Sequence, residues 1–296
     1  MKPHEYAVDK KNAPGKIFVN NPIMKLKSAS TSAVLAGLLP LTVSAQVITN
    51  AIDGANNYST WPQTANNGTG FGNWSYNNAQ PNGGFSGEFL GSSYTANGGG
   101  INSANGNAFG FYANSGTFAE AQATLPFQAG SLIANQTFSV QMQNHFIGDS
   151  GGQEGFSLQN SSGGNIFQFY FNGGSSDYFI NVWTSSSSGT QIDTQVPYTS
   201  SPLTLQYTQG SGDAWQFAVL LGNTTLASLS SASTGDLLWQ NSVSQVDLFS
   251  LNGGDLGNQN DNVYYNNPMI TTVPEPSTMM LGASGLAALL LLRRRR

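Results

Sequence analysis

Gly155 to Gly174 reads GFSLQNSSGGNIFQFYFNGG. Two runs rich in Phe and Ile, Gly155–Gln159 and Ile166–Phe171, flank a Ser-Ser-Gly-Gly turn, and Asn172-Gly173-Gly174 closes the second. Aromatic and β-branched side chains suit a pleated, half-buried surface. Gly and Asn supply the backbone angles that tight turns need. The stretch therefore predicts an antiparallel hairpin that turns into a third strand at Tyr178–Trp183. Upstream, Gln136 to Phe146 (QTFSVQMQNHF) sets Phe138, Val140, Met142 and Phe146 against polar partners, the two-residue period of a strand with one buried face. Thr117–Phe127 leads into it. Downstream, Leu203–Thr208, Trp215–Leu221, Thr225–Leu229, Val243–Leu251 and Val263–Thr272 read as further strands, with Thr184–Thr190 (TSSSSGT) as a Ser-rich loop. Gln46 to Gly116 is dense in Asn and Gly with scattered aromatics, which predicts short strands between glycine turns. No stretch before the C-terminal tail carries a helical period. The expected fold is all-β, an antiparallel two-sheet sandwich of jelly-roll type over residues 46–272, followed by a short C-terminal hydrophobic helix. A β-helix is the second choice, but the Asn-Gly-Gly turns recur at no fixed period.

The charges are distributed unevenly. All six lysines fall at or before Lys27, and all four arginines are Arg293–Arg296. The body between them, residues 46–272, holds twelve carboxylates and one histidine, His145. A body without cations cannot neutralise phosphates, which argues against nucleic acid as a partner. It also has no ordinary salt bridges, so a carboxylate buried in it must find hydrogen-bond donors or a metal ion. Charged residues are 8% of the chain, against about 25% in typical domains. Amides and hydroxyls supply the polar surface instead, which suits a hydrated polysaccharide environment. With no cysteine, disulfides and thiol chemistry are excluded.

Both ends speak of export. Met24-Lys25-Leu26-Lys27 is a basic segment, Ala33–Val43 an apolar core and Val43-Ser44-Ala45 a small-residue cleavage site, so residues 24–45 read as a signal peptide cut by signal peptidase before Gln46. Residues 1–23 read as an N-terminal extension, with translation expected to begin at Met24. The last residues, VPEPSTMMLGASGLAALLLLRRRR (273–296), join a triplet Pro274, Glu275 and Pro276 to an apolar run Met279–Leu292 and the terminal Arg293, Arg294, Arg295 and Arg296. A helix over that run, at about 1.5 Å per residue, barely approaches a hydrocarbon core of about 30 Å. The arginines stay on the cytoplasmic side, so the body faces outward. This tail resembles the PEP-CTERM sorting signal of exopolysaccharide-producing Gram-negative bacteria. The resemblance implies an inner-membrane intermediate, recognition and cleavage near the triplet by exosortase, and delivery to the cell surface or extracellular matrix. A plain membrane anchor is the alternative. Gly155–Gly174 and Asp261–Ile270 (DNVYYNNPMI) further resemble the passenger domains attached to such signals, which implies a concanavalin A-like or galactose-binding-like sandwich.

Signals for chemistry are sparse. In Asn252–Asn262 (NGGDLGNQNDN), Asp255, Asn258, Asn260 and Asp261 place hard oxygens close together, and calcium is the cofactor such a loop would take. An Asn/Gly hairpin connection is the alternative. A second acidic loop, Gly148–Glu154, offers Asp149 and Glu154. For sugar binding, Trp61 and Trp74 are the candidate platforms, Trp183 and Trp215 are read as core, and one ring of Tyr264-Tyr265 should face inward and the other outward. The only glutamates of the body, Glu88, Glu120 and Glu154, show no paired arrangement of the kind glycosidases need. Gly148-Asp149-Ser150-Gly151-Gly152 matches Gly-x-Ser-x-Gly and resembles the nucleophile segment of chymotrypsin-like proteases. No helix follows it, however, and His145 lies only five residues before Ser150, so it reads as a turn. The sequence thus predicts a non-catalytic secreted protein that associates with extracellular polysaccharide. The alternatives are a polysaccharide-modifying enzyme, of jelly-roll glycosidase or lyase type, and a self-associating matrix protein.

Overall fold

The computed structural model describes residues 46–80, 85–94, 100–114, 118–149, 151–254 and 261–273. The extension, the signal peptide, Ser150, the segment 255–260 with Asp255, Asn258 and Asn260, and the whole tail from Pro274 through Arg296 lie outside them. Among the described residues no helix is long and apolar enough to cross a membrane.

Two antiparallel sheets form a jelly-roll sandwich. The first contains β1 (Ile48–Ile52), β3 (Phe85–Gly91), β4 (Ala108–Asn114), β6 (Gln136–Asn144), β11 (Leu203–Gln209), β12 (Trp215–Leu221), β13 (Thr224–Ser230) and β15 (Val263–Thr272). Its order is β13-β12-β11-β6-β15-β4-β3, with β1 on the far end of β15. The second runs β10-β9-β8-β7-β14-β5-β2. Its strands are β2 (Ser75–Tyr76), β5 (Glu120–Pro126), β7 (Gln153–Gln159), β8 (Asn165–Asn172), β9 (Asp177–Ser185), β10 (Ser188–Pro197) and β14 (Gln245–Leu251).

Alternation along the strands builds the core. Phe138, Val140 and Met142 of β6 and Leu203, Leu205 and Tyr207 of β11 face rings and aliphatics of β7, β8 and β9, all buried. Phe138 meets Phe156 at 5.8 Å between centroids, and Phe217 meets Phe167 at 5.0 Å, so aromatic pairs knit the sheets together. The hairpin read from Gly155–Gly174 is present as β7 and β8, with Leu158 opposite Phe167. One expectation fails. The Ser-rich stretch 184–190 is no open loop; it is the tight connection between β9 and β10, with Ser185 opposite Ser188. β10 escaped notice because it is an edge strand, buried only at Thr194 and Val196, so its outward residues carry no apolar pattern.

Candidate functional site

Trp61 and Trp74 are not a platform. Trp74 is fully buried and Trp61 is 9% exposed. They pack edge-on to each other at 5.1 Å, and both lie against Phe109 of β4. Trp74 is tied to a buried carboxylate: Asp53 accepts from Trp74 Nε1 (2.9 Å), Tyr58 Oη (2.7 Å), Asn57 Nδ2 (3.0 Å) and its neighbour Gly54 N (2.8 Å). In a body without cations these donors are what makes the burial of Asp53 affordable. Trp215 is core as expected, whereas Trp183 is half-buried and alternates with the inward Val182.

Exposed aromatic surface is found elsewhere, on the outer face of the first sheet. Tyr265 points inward, donating its hydroxyl to Gly155 O (2.6 Å) and Phe249 O (3.0 Å), and Tyr264 points outward. Tyr264 lies opposite Gly110 on one side and Gln143 on the other, and Gly110 lies opposite Phe89. One row across four strands is therefore Phe89, Gly110, Tyr264, Gln143. The glycine is the key to the row. A Cβ at position 110 would come within 2.7 Å of Phe89 Cε1 and Cε2, so the Phe89 ring lies across the bare backbone and meets Tyr264 edge-on at 5.8 Å. Gly87 likewise leaves room for Tyr112, whose ring is 6.2 Å from Phe89. The three rings are half-buried and form a shelf. Along its margin Asn267 Nδ2 donates to Gln141 Oε1 (2.8 Å). Two residues beyond Gln143, the His145 ring lies tilted against Tyr94 with centroids 3.9 Å apart.

At this end of β6 the chain enters a glycine clasp. Gly148 N donates to Gly253 O (2.8 Å), Gly152 N to Gly148 O (3.1 Å) and Gly173 N to Gly152 O (2.8 Å). Gly148 and Gly152, which frame the hydrolase-like pentapeptide, thus serve backbone pairing. Beside the clasp a cleft of about 250 Å³ is lined by Phe146, Ile147, Asp149, Phe171, Gly174, Ser175 and Tyr198. Phe146 is 40% exposed and Asp149 is exposed, so the cleft has an apolar wall and a carboxylate. Tyr198 donates its hydroxyl to His145 O.

The remaining carboxylates are scattered. Burial raises the pKa of Glu88, which accepts from Asn78 Nδ2 (2.8 Å), and also that of Glu120, which accepts from Gln122 Nε2 (2.9 Å). Asp247 on β14 is pushed up to about 7 by burial, with the charge of Glu120 adding to it and a bond from Thr124 opposing. Glu154 is buried and held well above the ordinary carboxylate range, first by desolvation and further by the charge of Asp261. Asp261 itself is fully buried. Among the described residues no three His, Cys, Asp or Glu side chains gather as a metal-binding group.

Residues 272–296 match the PEP-CTERM protein-sorting motif. That motif implies exosortase-dependent sorting to the cell surface or exterior. No curated protein matches the chain. Among solved structures it is similar to a Caenorhabditis elegans galectin, at 13% identity and TM-score 0.34 over 54% of this chain and 94% of that one. It is also similar to an alginate lyase from Alteromonas, at 11% identity and TM-score 0.36 over 52% and 79%. The globular domain of T. cruzi calreticulin aligns at 7% identity and TM-score 0.44 over 75% and 95%. Likenesses of this degree say nothing about a ligand.

Proposed function

We propose that this protein associates non-catalytically with extracellular polysaccharide, binding it on the shelf of Phe89, Tyr112 and Tyr264. The observation that carries this reading is Gly110. It removes the one side chain that would stand between Phe89 and Tyr264, so the Phe89 ring lies across the bare backbone and meets Tyr264 edge-on. A pyranose ring offers an apolar C–H face to such a surface and hydroxyls to flanking amides, here Gln141 and Asn267. The neutral polar surface of the body fits a hydrated glycan partner, and the sorting motif supports its meeting one outside the cell.

The test titrates the full-length protein with the exopolysaccharide of the producing strain and compares Tyr264→Ala with Trp183→Ala, a control on the opposite sheet. Tyr264→Ala should weaken saturable binding about tenfold, equivalent to about 1.4 kcal/mol, and Trp183→Ala should leave it unchanged. Equal affinities in all three proteins would remove the shelf from the account. The absence of saturable binding would favour a self-associating matrix protein.

A further inference from the structure

Buried carboxylates in a body without lysine or arginine need another source of positive charge. Asp53 meets its need with four hydrogen-bond donors. Glu154 does not. Its Oε1 receives only a long bond from Ser250 Oγ (3.4 Å), and Oε2 has no partner. Asn114, 9% exposed, also leaves its Oδ1 without a partner, as does Asn262 at 8%. An amide or carboxylate oxygen stranded in this way costs on the order of 1–3 kcal/mol, and more when it is charged.

Glu154 and Asn114 both reach a dipeptide without side chains. A Cβ on Gly253 would fall 2.5 Å from Glu154 Oε1. One on Gly254 would fall 2.5 Å from Asn114 Oδ1 and 2.9 Å from Asp261 Oδ2, so those two oxygens share one small space. Three elements fix the arrangement: the end of β4, bridged from Asn114 to Gly254; the start of β7, which carries Glu154 opposite Ser250; and Asp261-Asn262 at the entry to β15. Two carboxylates and the Asn114 amide thus close on the bare faces of two glycines, and the body has no lysine or arginine to neutralise them.

We propose that Glu154, Asp261 and Asn114 bind a calcium ion beside Gly253-Gly254. Carboxylate and amide oxygens without imidazole or thiolate are the ligand set of a hard cation, and calcium tolerates irregular six- to eight-fold oxygen shells better than magnesium does. The ion would serve as the core of the loop end, tying β4, β7 and β15 together. The inference is independent of the glycan reading, since the shelf does not use these residues.

The test strips the full-length protein with EDTA and titrates it with calcium chloride, and in parallel with magnesium chloride, by calorimetry and thermal melting. Wild type should bind one calcium saturably, melt at a higher temperature when loaded, and respond more weakly to magnesium. Glu154→Gln and Asn114→Ala should each weaken calcium binding at least tenfold. Should either variant fail to fold, terbium emission sensitised by Tyr265, which is bonded to the residue after Glu154, decides on wild type alone: saturable emission displaced by calcium is expected. No saturable calcium or terbium binding by wild type would overturn the proposal. So would a Glu154→Gln protein that binds like wild type, or one that melts higher while wild type ignores calcium, because Glu154 would then be a neutral buried acid.

Discussion

Trp74 places its indole N–H 2.9 Å from Asp53 Oδ2, and that contact decides on which side of the protein surface the ring lies. Trp74→Phe keeps most of the apolar area and removes a donor from a buried carboxylate. It should cost about 1–3 kcal/mol in denaturant melts, and an unchanged midpoint would show that Asp53 does not depend on the indole. The alternation of Tyr264 and Tyr265 was legible in the sequence, because a strand turns successive side chains to opposite faces. The fate of Trp61 and Trp74 was not, since both pack on Phe109 and Trp74 bonds to Asp53, partners that only the fold brings to them. Asp247 makes a pH prediction. Its folded pKa, about 7, lies above the ordinary value of 3.8, so its contribution to stability is full below about pH 4 and is lost as pH rises through about 7. Asp247→Asn should therefore lose less stability than wild type across that interval, and parallel pH profiles would contradict the assignment.

At the scale of elements, the central strands announce themselves and the edges do not. β6, β11, β12 and β15 each bury one apolar face, so residues such as Phe138, Val140 and Met142 carry the period openly, and β8 is apolar and buried on both faces. β10 is wetted along most of its length and reads as polar loop. The aromatic shelf was hidden for a related reason: its defining residue is Gly110, whose meaning appears only when β3 and β15 pair on either side of it. The clasp among Gly148, Gly152 and Gly173 joins the turn after β6 to the turn after β8. A Cβ at 173 would enter the van der Waals shell of Gly148 O. Gly173→Ala should destabilise by about 1–3 kcal/mol, whereas Gly163→Ala, where the space is open but φ is +82°, should act through backbone strain alone, at about 1 kcal/mol. Equal losses at both positions would argue against the clasp.

At the scale of the molecule, the sequence separates address from cargo. Cations are confined to the two ends, and the sandwich between them presents amides, hydroxyls and a few carboxylates. The sorting motif at 272–296 gives the destination, and protein recovered from the cell surface should lack Arg293–Arg296 by mass spectrometry. Intact arginines there would contradict processing near Pro274–Pro276. A body without cations cannot hold a neutral or anionic polymer by ion pairing, so on this account aromatic and amide contacts carry the affinity, and added salt should not weaken them. The direct test is a binding isotherm of the full-length protein with the exopolysaccharide of the producing strain, at low and at high salt. The account predicts saturable binding that persists at high salt and is reduced by Tyr264→Ala. Binding that collapses with salt, or no saturation at either ionic strength, would contradict it.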